Sequence, residues 1–325
     1  MSRPCLSIIV PVFNEEAVLD ELHRRLTTVA RDLETTYEIL YVNDGSRDRS
    51  MELLEGMARQ DPHVRVIQFA RNFGHQVAIT AGMDHAQGEA VVVIDADLQD
   101  PPELIGPMLA KWREGYDVVY AVRERREGDS YFKRTTAALF YRVLKRITHV
   151  DIPLDTGDFR LMSRRAIEAM KLFSERNRFV RGLVSWIGFK QTGITFVRAE
   201  RFAGETKYPL KKMLRFAMDG IVTFSFVPLQ MATYLGFLVS GLSFLGILWV
   251  IYMRIFTLET IVGWASLMAI ALFLGGVQLI TLGVIGEYIG RIYDEVKHRP
   301  LYLIQERLGF EQGSEKPGNL NVFER

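Results

Sequence analysis

The chain has 325 residues, with 40 Lys and Arg against 39 Asp and Glu, a net charge of +1. That balance excludes the broad basic surface of a nucleic-acid-binding protein, and no nucleic-acid partner is expected. The only cysteine is Cys5, which excludes an internal disulfide framework and a Cys-rich zinc site and suits a reducing compartment.

Leu6-Ser7-Ile8-Ile9-Val10 predicts a first buried strand, ending at Pro11 and followed by Val12-Phe13-Asn14-Glu15-Glu16. The apolar run is too short for a signal peptide, so none is expected. Val18, Leu19, Leu22, Leu26 and Val29 recur at helical spacing, predicting a helix over 17–33. Tyr37 to Val42 is a second strand, running into Asn43-Asp44-Gly45-Ser46. A helix from Ser50 to Arg59, a strand from Val64 to Phe69, a loop over 71–75 and a helix from Gln76 to Ala86 follow.

Val91-Val92-Val93-Ile94-Asp95-Ala96-Asp97-Leu98-Gln99-Asp100 is the central stretch. Its apolar run reads as a strand buried on both faces, as in a parallel sheet. Read as extended chain, it aims Asp95 and Asp97 at one point, with Gln99 continuing the row. Two converging carboxylates repel unless a cation lies between them, and Mg²⁺ or Mn²⁺ takes such oxygen ligands together with substrate phosphates. The alternative is that both acids cap the turn before Asp100-Pro101-Pro102 opens a helix. Strands alternating with helices predict βαβ units in a mostly parallel sheet. Three polar clusters (Asn14/Glu15, Asp44, Asp95/Asp97) then meet at the C-terminal strand ends, where such sheets bind ligands. A nucleotide-diphosphate site with a divalent metal is the expectation.

Tyr116 to Arg123 is another strand. A basic stretch follows with Arg123, Arg125, Arg126, Lys133 and Arg134, and residues 131–147 form an amphipathic helix. Asp155-Thr156-Gly157-Asp158-Phe159-Arg160-Leu161 carries Asp158, a candidate site acid, with a turn acid near a helix starting at Ser163 as the alternative. Ser174 to Gly188 carries Arg176, Arg178 and Arg181 on a helix facing either the substrates or the core. Ile194 to Val197 is an edge strand, and Arg201 and Lys207 flank Gly204 in a loop suited to phosphate.

Residues 207–226 alternate Lys211, Lys212 and Arg215 with apolar side chains, which predicts an interfacial helix on anionic lipid. No charged residue occurs from Gly220 to Met253 or from Thr260 to Gly286. Each run exceeds the ~20 residues that cross a bilayer as a helix. Two spans are expected, Pro228–Met253 and Trp264–Glu287, with Arg254 and Glu259 the only charged residues in the turn between them. Cations concentrate on the other side, which predicts a cytoplasmic catalytic domain and cytoplasmic termini. The polar tail over 312–325 is expected to be disordered. The domains follow as 1–206 catalytic, 207–227 amphipathic, 228–287 transmembrane hairpin and 288–325 cytosolic tail.

Pro11-Val12-Phe13-Asn14-Glu15, Asn43-Asp44-Gly45-Ser46 and Asp95-Ala96-Asp97-Leu98-Gln99 resemble the blocks of family 2 glycosyltransferases with the GT-A fold. Residues 156–161, 201–208 and 286–291 resemble the polyprenyl-phosphate branch, which includes dolichol-phosphate mannose synthases and bacterial undecaprenyl-phosphate (bactoprenol) glucosyltransferases. The match covers about residues 6–305. The resemblance implies an α/β GT-A domain that inverts a sugar, glucose foremost, from UDP-sugar onto undecaprenyl phosphate at the inner face of the bacterial cytoplasmic membrane. It assigns Pro11, Asn14, Glu15, Asp44 and Asp95 to the nucleotide, and Asp95, Asp97 and Gln99 to Mg²⁺ or Mn²⁺ and the diphosphate. It assigns Asp158, with Asp97, to the catalytic centre, and Arg123, Arg134, Arg201 and Lys207 to the acceptor phosphate. It further implies a membrane-embedded homo-oligomer, a tetramer, working ahead of a flippase and a periplasmic glycosyltransferase. The physical reading agrees: a carboxylate such as Asp44 can accept the imide N–H of uracil. A lipid phosphate monoester is largely dianionic at neutral pH, so Asp158 can orient the acceptor rather than deprotonate it. Rival readings are a same-branch transferase using GDP-mannose or a UDP-amino sugar, a processive polysaccharide synthase, whose Gln-x-x-Arg-Trp motif is absent, and a scaffold, which predicts lost carboxylates.

Overall fold

A computed structural model describes residues 4–124, 156–176, 178–196, 227–256 and 263–310. Four apolar runs form the heart of the sheet: β1 (Leu6–Val12), β2 (Tyr37–Asn43), β3 (Val64–Phe69) and β4 (Ala90–Val93). β1, β2 and β4 are buried at every residue, which is why they carry continuous rather than alternating hydrophobicity. β1 pairs in parallel with β2 and β4, and β2 with β3. The crossovers are α1 (Leu19–Asp32), α2 (Ser50–Gln60) and α3 (His75–His85).

A short 3₁₀ turn (Pro102–Leu104) leads into α4 (Ile105–Arg113), then β5 (Val118–Arg123). β6 (Thr156–Ser163) is followed by α5 (Arg164–Lys171), α6 (Val180–Trp186) and β7 (Gln191–Phe196). With β8 (Ile304–Leu308), the strand order is β7-β5-β6-β4-β1-β2-β3-β8. β6 runs antiparallel to both β4 and β5, in register Val93↔Arg160 and Val122↔Thr156. Its first residues therefore lie beside the C-terminal end of β4. That edge is also the switch point between β1 and β4, where the chain reverses its direction of winding and leaves a crevice.

Leu6, Ile8, Val10, Ile39, Tyr41 and Val92 belong to a core cluster shared with α1, α2 and α4. Leu40, Val42, Ile67 and Phe69 belong to another with Ala78, Ala81 and Tyr302. The alternation along β2 assigns the two clusters to opposite faces of the sheet. The described residues divide into two compact units: the sheet domain, which includes residues 299–310, and two long helices. These are α7 (Val227–Phe256) and α8 (Trp264–Val296). Within them Leu229–Met253 and Ile270–Val296 are long and apolar enough to cross a membrane. Many of their described apolar side chains, among them Phe237, Leu245, Trp249 and Leu279, are exposed.

Four expectations change. Residues 156–161, where no strand was expected, form the start of β6, an antiparallel strand inserted in the sheet, and Ser163 accepts the Ala166 N–H as the cap of α5. Asp95, Asp97 and Gln99 do not continue an extended row. The strand ends at Val93 and the chain turns through Leu98 in the left-handed region (φ 58°), which buries Gln99. The helix expected over 174–188 is reduced to Val180–Trp186. The second long helix runs on to Val296 rather than stopping at Glu287, and the expected tail contributes β8, paired antiparallel with β3. Tyr302 explains that return: it stacks on Phe69, ring centroids 5.1 Å apart, and donates to Asp84 at 3.0 Å. The helix over 131–147, Arg134, Arg201, Lys207, the interfacial segment over 207–226 and the tail over 312–325 lie outside the described residues.

Candidate active site

Three loops at the C-terminal strand ends are knitted together by their own polar groups. Asn14, left-handed at φ 56°, donates its N–H to Ser46 Oγ (3.0 Å) and accepts the Arg47 N–H at 2.8 Å. The Glu15 N–H donates to Ser50 Oγ at 3.0 Å, and Asn43 Oδ1 accepts from Ser46 N–H and Oγ. Gly45 (φ +67°) passes so close to the next loop that a Cβ would meet the Arg71 carbonyl carbon at 2.5 Å. Asp44, 2 % exposed, accepts the N–H groups of Phe73 (2.6 Å) and Gly74 (2.9 Å). Burial pushes its carboxyl up, with these two amides working against that. Asp44 thus fixes the entry to α3, and each of its oxygens retains a second lone pair for a ligand. Pro11 lies buried within β1 beside this frame.

At the N-terminus of α3, His75 and Gln76 reach across to β6. The carboxylate of Asp158, 4 % exposed, is held by three side chains from two elements. Arg181, in the first turn of α6, donates through Nε at 2.8 Å and Nη2 at 3.1 Å. Gln76 Nε2 donates at 3.2 Å and His75 Nε2 at 3.3 Å. A carboxylate only accepts, so His75 carries its proton on Nε2. The same nitrogen lies 3.4 Å from Asp95 Oδ1. Buried Arg160, on β6 itself, donates to the Gly157 carbonyl at 2.9 Å and lies 4.0 Å from Asp158 Oδ1.

The charges alternate, and the acidities follow. Burial would raise the Asp158 carboxyl, but hydrogen bonds from His75 and Arg181 and the charges of Arg181 and Arg160 hold it far below the usual carboxylate range. Burial would lower His75, but Asp158 and Asp95 raise it. Asp95 is pushed up by burial, opposed by His75 and reinforced by Asp158 and Asp97. Burial depresses Arg160 to about 10.

His75, Asp95 and Asp158 each offer a ligand atom within 4.8 Å of the others. Asp95 Oδ1 is buried without a hydrogen-bond partner among the described residues. A buried carboxylate oxygen left in that state is what a hard cation satisfies. Asp158 is already gripped by Arg181, so the residues fit a cation held through Asp95, with Asp97 close enough to raise the Asp95 carboxyl. Asp97 also accepts the Gln99 N–H at 3.1 Å, which fixes the turn. Arg123 crosses over Gly157, where a Cβ would lie 2.7 Å from its Nη2, and stands 3.8 Å from buried Asp100. Any larger residue at 157 would displace this guanidinium from the edge of the site.

The structure therefore gathers Asp95, Asp158 and their partners at one crevice, with Arg123 at Asp100 beside it and the Asp44 frame next to α3. His75 and Gln76 were missed as site residues, although they follow the third strand as the other polar clusters follow theirs. Arg160 carried no signal, because only the insertion of β6 turns it inward.

The model for glycosyl transferase family 2 matches residues 7–170. An uncharacterized glycosyltransferase of Bacillus subtilis, YkcC, is 60 % identical over 94 % of this chain and 94 % of its own. The bactoprenol glucosyl transferase of Shigella phage SfV is 44 % identical over 92 % of this chain and 98 % of its own. Among solved structures, glucosyl-3-phosphoglycerate synthase of Mycobacterium tuberculosis with Mn²⁺, UDP-glucose and phosphoglyceric acid resembles it at TM-score 0.45 and 20 % identity, over 69 % and 79 % of the two chains. By the family model over residues 7–170 and the two sequence relatives covered along nearly their whole length, the chain belongs to glycosyl transferase family 2.

Proposed function

We propose that the chain transfers glucose from UDP-glucose to a polyprenyl phosphate, undecaprenyl phosphate, at the cytoplasmic face of a bacterial membrane. The observation that carries this reading is the 44 % identity to a bactoprenol glucosyl transferase along nearly the whole of both chains. The two long apolar helices support it, because the acceptor is confined to the bilayer. The excess of cations outside the short turn between them supports a cytoplasmic catalytic domain.

In the reaction, an oxygen of the lipid phosphate forms the new bond to the anomeric carbon. The bond to the UDP oxygen breaks on the opposite face, and its electron pair leaves with UDP. The acceptor is already largely dianionic near pH 7, and Asp158, saturated with donors, is a poor base. It serves to hold Arg181 and the start of α6 at the crevice. Asp44 and the Asn14–Glu15 loop bind the nucleoside, while Asp95 and Asp97 hold Mg²⁺ or Mn²⁺. That ion, when bound, neutralises charge on the departing diphosphate. Arg123 with Arg134, Arg201 and Lys207 binds the acceptor phosphate. The product is a membrane-held sugar donor, which a flippase and a transferase on the far side would consume. The test is to incubate membranes bearing the protein with labelled UDP-glucose, UDP-GlcNAc or GDP-mannose and extract the lipid. Label from UDP-glucose alone is expected; label from another donor instead would replace the sugar assignment.

A further inference from the structure

Gln76 joins two elements that meet at the site. Its Nε2 donates to Asp158 Oδ2 at 3.2 Å, and its Oε1 accepts the Val180 N–H at 3.1 Å. The amide cannot be turned over: a carboxylate has nothing to donate and a backbone N–H nothing to accept, so each partner fixes one end. Val180 is the first residue of α6, whose own N-cap, Phe179, supplies no side-chain bond. Arg181, the next residue, grips the same carboxylate. Gln76 is itself placed by the α3 entry, where Asp44 accepts the N–H groups of Phe73 and Gly74. Hydrogen bonds, joined by the backbone over residues 73–76, thus link the loop after β2 through the start of α3 to the carboxylate on β6 and the first turn of α6.

We infer that Gln76 is a positioning residue for the transfer: its side-chain amide sets the Asp158 carboxylate and the first turn of α6, with Arg181, in one fixed geometry. The inference rests on the proposed transferase reaction. It deepens that reading by assigning to α3 the alignment of the acid that α6 grips. A neutral amide suits this place because it supplies one donor and one acceptor without adding charge to a site crowded with carboxylates.

The experiment separates the two ends of the amide, using the full-length protein with UDP-glucose and undecaprenyl phosphate in detergent micelles. Gln76→Glu keeps an acceptor for the Val180 N–H and sets a second carboxylate oxygen against Asp158. Gln76→Met removes both bonds. A hydrogen bond to a charged group corresponds to roughly ten- to hundred-fold in rate. Gln76→Glu should therefore lose at least about ten-fold in kcat, as much as Gln76→Met or more. Its KM for UDP-glucose should stay near wild type. A near-normal kcat for Gln76→Glu beside a damaged Gln76→Met would make Gln76 only a cap for α6 and overturn the inference. So would equal activity of both variants with wild type, or a loss confined to donor KM. If Gln76→Met does not fold, Gln76→Asn replaces it. If wild type uses another sugar nucleotide, the donor assignment fails, and the same ratios measured with that donor still decide the role of Gln76.

Discussion

Replacing Asp158 with asparagine tests the charge arrangement at its centre. The carboxylate takes four hydrogen bonds, two from Arg181 and one each from His75 and Gln76. An asparagine amide can accept at one position only and must set its NH₂ against donors at the other. At least one charge-assisted bond is lost, about 1.5–3 kcal/mol, and the Arg160 guanidinium 4.0 Å away loses its counter-charge. Breaking a buried ion pair costs about 3–5 kcal/mol. The Arg181 side chain is 28 % exposed and can rehydrate in part, so the lower end, about 3 kcal/mol, is expected. At about 2–4 °C per kcal/mol for a domain of this size, the unfolding temperature falls by about 6–12 °C. The sign with pH follows from the depressed carboxyl. Its stabilisation is complete above the unfolded value of 3.8 and is lost as pH falls through the much lower folded value, so wild type and variant should converge only in strong acid. Thermal unfolding of both full-length proteins in one detergent, at pH 7 and at the lowest tolerated pH, reads this directly. A drop below about 1 °C at pH 7 would refute the idea that Asp158 holds α6 to the site.

Other outcomes follow from the same geometry. Asp95→Ala removes a carboxylate that burial already disfavours, so the fold should persist while Mn²⁺ binding in the presence of UDP, read by electron paramagnetic resonance, and lipid-linked product both vanish. Full turnover of that variant in EDTA would exclude a metal at Asp95. In a Cys5→Ser background, a cysteine at Thr257 should react with an impermeant thiol reagent outside intact cells. One at Glu52, whose side chain is 71 % exposed, should not, and the reverse pattern would invert the topology. Lys207→Ala and Arg201→Ala should each lose roughly ten- to hundred-fold in transfer and keep UDP affinity by calorimetry; lost UDP affinity would move that residue to the donor.

The parallel heart of the fold was legible because β1, β2 and β4 are buried on both faces and say so in unbroken apolar runs. The meeting of Asp44, Asn14/Glu15 and Asp95 at one edge followed from the direction of those strands. β6 was not legible, because Thr156-Gly157-Asp158 opens with the residues of a turn, and its strand character comes from the ladders of β4 and β5 on either side. β8 was hidden for a similar reason. Gln305, Glu306 and Arg307 carry no apolar run, and the segment is held by its edge pairing to β3 and by Tyr302. Sequence spacing also suggested a straight row for Asp95, Asp97 and Gln99, whereas the left-handed Leu98 folds that row into a turn.

The central claim is the transfer itself, and the purified full-length protein with UDP-glucose, Mg²⁺ or Mn²⁺ and undecaprenyl phosphate tests it most directly. Mass spectrometry of the extracted lipid should give one hexose added per undecaprenyl phosphate, with UDP released one for one and a β-anomeric coupling in the product by NMR. UDP release without a glycosylated lipid, or an α-linked product, would contradict in-line displacement by the lipid phosphate.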